Sequence, residues 1–242
     1  MTILREFLLT CPKLEVFQVS GTNYITDDIL SHLVCSCPNL HAIQIGECHQ
    51  ITDSSLLAIA THCSRNLRYF GISTCWSVTP AGLEAITAVC KNLLELTVKF
   101  QLMQIWRTTD LSSVFTNCPK LVALGLPAMF LTDSCLCAIA NTCTELTFLS
   151  VCGAYGMIEV GVDTVMKNCS KLRRFCIYRR EENAYSERLC RWDRPDVQIV
   201  FDTICTPFWT EYECSMTNVK YRDKSEGQSP FGMFSTLLST PR

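Results

Sequence analysis

The sequence predicts an α/β solenoid: a right-handed leucine-spaced repeat arc with a parallel sheet on its concave face and helices on its convex face. Three observations predict it. Cysteines that precede a leucine by three or four residues recur every 25–28 residues, at Cys11, Cys37, Cys63, Cys90, Cys118, Cys143 and Cys169. After each of them comes the same apolar frame, Leu-x-x-Leu-x-Leu in outline. Before each following cysteine stands an apolar pair, seven and four positions upstream.

The frame supplies the strands. Its positions are Leu14/Phe17/Val19, Leu40/Ile43/Ile45, Leu67/Phe70/Ile72, Leu93/Leu96/Val98, Leu121/Leu124/Leu126, Leu146/Leu149/Val151 and Leu172/Phe175/Ile177. The last two members of each triplet are two residues apart, the period of a strand with one face in a core. The helices follow. Thr26-Asp27, Thr52-Asp53, Thr79-Pro80 and Thr132-Asp133 put a threonine where a side chain can cap orphan amides, with Asp or Pro suited to the first turn. The pairs Leu30/Leu33, Leu56/Ile59, Leu83/Ile86, Leu111/Val114, Leu136/Ile139 and Val162/Val165 lie on one helical face. A unit with one apolar face buries it only against its neighbours. A period of this length with this frame is that of a leucine-rich repeat, and strand-to-helix crossovers favour the right hand. The cysteines then occupy equivalent positions in successive units and are expected to stack in a buried, structural ladder at the helix C-termini.

Composition narrows the function classes. Of 242 residues, 48% are hydrophobic and 18% charged, which is a folded chain. A formal charge of −2 gives no basic footprint, so nucleic acid is not an expected partner. No apolar run reaches the ~20 residues needed to cross a bilayer, and no membrane partner is expected. The start, MTILREFLLTCPKL, lacks the pattern of a secretory signal. With no export signal and an odd count of 17 cysteines, free thiols in the cytoplasm or nucleus are expected.

Cys11-Pro12-Lys13-Leu14, Cys37-Pro38-Asn39-Leu40 and Cys118-Pro119-Lys120-Leu121, joined by Ile25-Thr26-Asp27, Ile51-Thr52-Asp53 and Leu131-Thr132-Asp133, resemble the cysteine-containing class of leucine-rich repeats. The sequence looks most like the repeat region of F-box/leucine-rich-repeat proteins, over about residues 4–178. A second cysteine typical of that class stands at Cys48 and Cys75 and is replaced by Thr22 and Gln101 at the matching offset of two other units. The resemblance implies the substrate-recognition subunit of an SCF-type E3 ubiquitin ligase, whose F-box docks on a Skp adaptor and, through it, a cullin. The ten residues before Cys11 leave no space for an F-box, and Leu4, Phe7 and Leu8 fit the helix columns of a unit whose strand is missing. The expectation is therefore a partial or alternative product of a longer gene, or a chain that needs an upstream partner, with Skp adaptor and cullin as partners only where an upstream F-box exists. Repeats of this class also occur in F-box-free proteins, so a module that sequesters a partner is the competing reading.

A protein target is expected on the concave face. Positions between the frame residues point there, and they are mostly small or neutral. The exceptions Tyr69, Phe148, Arg174 and Tyr178 are residue types enriched at interface hot spots. Equally open is that they pack against loops or the C-terminal tail. The fourth unit carries a longer connection, Lys99 to Asp110, with Trp106 as a further candidate contact or as a residue folded over the helix edge.

After Ile177 the repeat decays. The expected organisation is repeats over 1–178, a capping half-repeat over 179–202 with alternating Val197/Ile199/Phe201, and a tail over 203–242. No C-x-x-C pair or paired Cys/His spacing suggests a metal. No phosphate-binding, zincin or nucleophile-elbow signature is present, so neither cofactor nor enzyme activity is expected.

Overall fold

The computed structural model describes residues 11–99, 110–127, 131–152, 159–178 and 194–202. The half-unit anticipated at Leu4, Phe7 and Leu8, the connection around Trp106, the charged segment 179–193 and the tail lie outside these residues.

Strands and helices alternate: β1 (Val16–Ser20), α1 (Asp27–Ser36), β2 (Ala42–Gly46), α2 (Asp53–Cys63), β3 (Tyr69–Ser73), α3 (Pro80–Val89), β4 (Glu95–Lys99), α4 (Ser112–Thr116), β5 (Ala123–Pro127), α5 (Asp133–Thr142), β6 (Phe148–Cys152), α6 (Glu159–Asn168), β7 (Arg174–Tyr178) and β8 (Gln198–Asp202). All eight strands form one parallel sheet in sequence order. The register aligns the frame: Phe17, Ile43, Phe70, Leu96, Leu124, Leu149, Phe175 and Ile199 make one row across the sheet. The ladder runs on before the strands. Glu15 O accepts from both His41 N and Ala42 N, and His41 O, Arg68 O, Leu94 O, Val122 O and Thr147 O repeat the pattern. The protein is thus an α/β repeat solenoid of leucine-rich type, with its main core between sheet and helices. Strands sit about 4.8 Å apart and helices pack at about 8–10 Å. Stacking units of this shape puts the sheet on the inside of the curve.

Thr26, Thr52, Thr79 and Thr132 each accept a backbone N–H of the first turn and cap their helices. The aspartates do more than favour the first turn. Asp27 Oδ1 accepts from Thr52 N at 2.9 Å and Asp27 Oδ2 from Thr52 Oγ1 at 2.6 Å, while Ser55 Oγ donates to the same carboxylate. Asp53 holds Thr79 in the same way, at 2.8 and 2.6 Å. Each acid therefore ties its helix to the cap of the next. Burial opposes the ionisation of Asp27, but the combined hydrogen bonds from Ser55 and Thr52 outweigh it and hold its carboxyl below the usual value. Residues facing such carboxylates from the next unit are small: Ser55 on Asp27, Gly82 on Asp53, Cys135 on Asp110 and Gly161 on Asp133.

Among the described residues, the chain of acids is interrupted at α3. Pro80 takes the aspartate's place in α3, and in the next unit Leu111 caps α4 without a side-chain hydrogen bond. The accepting carboxylate and the donating threonine are lost together. Helix α4 is also cut to five residues where its neighbours have ten. Phe115, fully buried, fills the column that Thr87 and Ala140 occupy on either side.

The cysteine ladder is present. Cys37, Cys63, Cys90, Cys118, Cys143 and Cys169 are all buried and free. Some of these thiols reach back to carbonyls of the preceding unit: Cys37 Sγ donates to Cys11 O at 3.3 Å and Cys143 Sγ to Cys118 O at 3.5 Å. Burial pushes Cys63, Cys90, Cys118 and Cys143 up to about 12. Thiolate is the reactive form, so iodoacetamide is expected to label exposed Cys35 in the native protein and leave those four untouched until it unfolds. Peptide mass spectrometry reads this site by site. Labelling of Cys143 at the rate of Cys35 would contradict it.

The turns leaving β1, β2 and β3 pass through the left-handed region at Gly21 (φ 68°), Glu47 (φ 51°) and Thr74 (φ 52°). Glycine suits this conformation and β-branched threonine does not. The repeat imposes the turn regardless of the residue that occupies it.

Candidate docking face

Side chains between the frame positions lie on the sheet face opposite the helices. There Ala123, Phe148 and Cys176, with Val200 packed against them, form a small apolar cluster separate from the main core. The floor around it is made of small residues: Ala42, Gly46 and Gly71 towards the N-terminal end, Ala123, Gly125 and Ser150 further on. At Gly46 a side chain would press on Ser20 Oγ and Ser73 Oγ, at 2.9 and 3.0 Å from its Cβ.

Register rows place the larger residues. The first outward row reads Val16, Ala42, Tyr69, Glu95, Ala123, Phe148, Arg174, Gln198 from β1 to β8. Tyr69, Phe148 and Arg174, singled out separately from sequence, thus share one line across the sheet. Tyr178 lies at the far end of β7, opposite Cys152 and Asp202.

Two expectations need correcting. Phe148 is not an exposed anchor: it is 9% exposed, sunk among Ala123, Cys176 and Val200, whose small side chains let the ring lie down on the sheet. The face as a whole is less open than strand alternation suggests, since Gln44, Ser73, Lys99 and Ser150 are buried on it too. Tyr69 is half-buried, with His41 against its edge at 6.2 Å between ring centroids. Arg174 is half-buried as well.

The face also contains an acid, which the count of small and neutral residues obscured. Glu95 sits directly between Tyr69 and Ala123. Burial alone raises its carboxyl to about 7. The Tyr69 hydroxyl is pushed up by burial and then by the Glu95 charge, with Arg68 opposing.

On the rim beyond the strand ends, Trp76 is 51% exposed and stacks on His49, with ring centroids 4.4 Å apart and 25° between planes. Cys48-His49 and Cys75-Trp76 are equivalent dipeptides of neighbouring units, so the repeat alignment held the signal for this pair. Among the described residues no three His, Cys, Asp or Glu side chains gather as metal ligands, and no helix is long and apolar enough to cross a membrane.

No family model matches the sequence. Among solved structures, the chain is similar to one from the yeast Rad7–Elc1 complex, with a TM-score of 0.49 and 17% identity, over 72% of this chain and 52% of that one. It therefore spans about half of that chain. It is also similar to the Caenorhabditis elegans tropomodulin C-terminal domain, with a TM-score of 0.43 and 13% identity, over 69% of this chain and 92% of that one. The repeat architecture itself rests on the sheet order, register and burial described above.

Proposed function

We propose that this chain is a non-catalytic protein-recognition module that holds a target on its sheet face, and that it forms the substrate-binding arm of an SCF-type E3 ubiquitin ligase in the cytoplasm or nucleus. The observation that carries the recognition reading is the row that sets the half-buried Tyr69, Glu95 and Arg174 on a floor of small residues and the sunken Phe148. Rigid strands present these side chains at fixed spacing, and small neighbours let a partner's surface come close. The ligase reading draws on the Cys-Pro-x-Leu and Ile-Thr-Asp repeats and their resemblance to F-box/leucine-rich-repeat proteins. The mechanism is scaffolding. A target held on the arc is brought within reach of a ubiquitin-charged enzyme bound elsewhere in the assembly.

Affinity purification of the endogenous protein, with mass spectrometry of bait and partners, tests the ligase reading. Skp adaptor and cullin are expected with the bait. Their absence, with a target still bound, would overturn the ligase reading and leave an F-box-free module that sequesters its partner.

A further inference from the structure

We propose that the sheet face selects targets presenting a lysine or arginine, whose cation sits against the Glu95 carboxylate and the Tyr69 ring. This deepens the docking-face reading and rests on it.

Glu95 is an acid without a partner on the sheet face. Neither a hydrogen bond nor an ion pair reaches Glu95, and burial is the sole influence on its ionisation. A carboxylate drawn out of water with nothing to compensate it is costly, and the cost is recovered when a cation arrives. Among the described residues, the neighbouring cations are engaged or distant. Arg68, on the β3 side of Tyr69, donates through Nη1 to Asn92 O at 3.4 Å. Lys99 lies four residues further along β4, and Arg174 three strands away. No charged residue faces Glu95 from β5, where Ala123 is its direct neighbour and Gly125 lies diagonally.

The surroundings suit a cationic side chain. On one side Tyr69 is the direct neighbour of Glu95 across the strands, so an ammonium or guanidinium held at the carboxylate has an aromatic ring beside it as a second attraction. On the other, the methyl of Ala123 and the bare backbone of Gly125 leave room for the aliphatic stem, which packs well on apolar surface. An anionic or wholly apolar side chain at this point would leave Glu95 unpaired or repelled, which adds discrimination.

The pairing also has a pH signature. Burial holds the free Glu95 carboxyl near neutrality, and a bound cation favours the ionised form, so affinity rises between pH 6 and 8. His41 also lies nearby, its ring centroid 6.2 Å from that of Tyr69. The variant His41→Gln separates its contribution.

The test is selection of phage-displayed random peptides on the full chain, as wild type and as Glu95→Gln, after thermal melting shows that the variant folds alike. The wild type is expected to enrich peptides with Lys or Arg at one position, and E95Q to lose that preference. For the leading basic peptide, E95Q should weaken binding on the order of tenfold and abolish its pH dependence, which H41Q preserves. Peptides that bind without a basic residue, or the same basic preference in E95Q, would overturn the proposal and leave the docking face intact. A chain that enriches no peptide would overturn both.

Discussion

Phe115→Ala will cost ~3–5 kcal/mol, at the top of the range for a single core truncation. The reason lies in the shortened helix α4. Five residues cannot cover the stretch of sheet that ten-residue helices cover, and Phe115 fills the difference from a column shared with Thr87 and Ala140. Removing the ring opens a cavity next to two small residues, neither of which can swing into it. The damage should also be local in character. In a solenoid each unit touches only its neighbours, so a weak link lowers cooperativity as well as stability. Hydrogen exchange is expected to quicken in α3, α4 and α5 while β1 and β2 keep their protection, and urea unfolding should broaden. A uniform loss of protection over all described units would show that α4 is no weak link.

Gly82→Ala should destabilise by ~1–3 kcal/mol, against the usual sign for a glycine within a helix. Ordinarily alanine gains up to ~1 kcal/mol there. At this position the new methyl would fall inside the Asp53 carboxylate, which cannot retreat without releasing Thr79 N and Thr79 Oγ1. Hydrogen bonds to a charged acceptor are worth about 1.5–3 kcal/mol each, so their disruption outweighs the gain in helix propensity. The decisive comparison is a double-mutant cycle. In an Asp53→Ala background only the movable Leu56 Cδ2, at 3.0 Å, still crowds the new methyl, and G82A should turn neutral or stabilise by up to ~1 kcal/mol. Equal effects of G82A in both backgrounds would mean that the carboxylate does not set the size limit here.

Both cases show which parts of the molecule the sequence displays. The apolar frame, the threonine caps and the cysteine column are readable because each depends on contacts that recur identically in every unit. The reach of Asp27 and Asp53 into the next unit is a contact between repeats, and a residue suited to a first turn looks the same whether or not it makes that contact. Glycine at 82 has meaning only beside Asp53. Phe115 compensates for a helix whose shortness no periodicity records. The face was harder to read for a similar reason. Alternation assigned Tyr69, Glu95, Phe148 and Arg174 to the correct side of the sheet, yet it gave no depth. Phe148 is sunk because Ala123 and Cys176 are small, and Glu95 matters because nothing pairs with it. Both facts belong to neighbours across strands rather than along the chain.

The central claim is that the sheet face, and not the helical face, holds the partner. Quantitative affinity purification from cells expressing the wild type, a Tyr69→Ala/Glu95→Gln variant and a Leu57→Ala variant tests it most directly. Leu57 is 54% exposed on α2 and serves as the control for the opposite face. The account predicts that the protein target disappears from the sheet-face variant while the Leu57 variant retains it at wild-type levels. Loss with L57A and retention with the sheet-face variant, both folded, would place recognition on the helices and contradict the account.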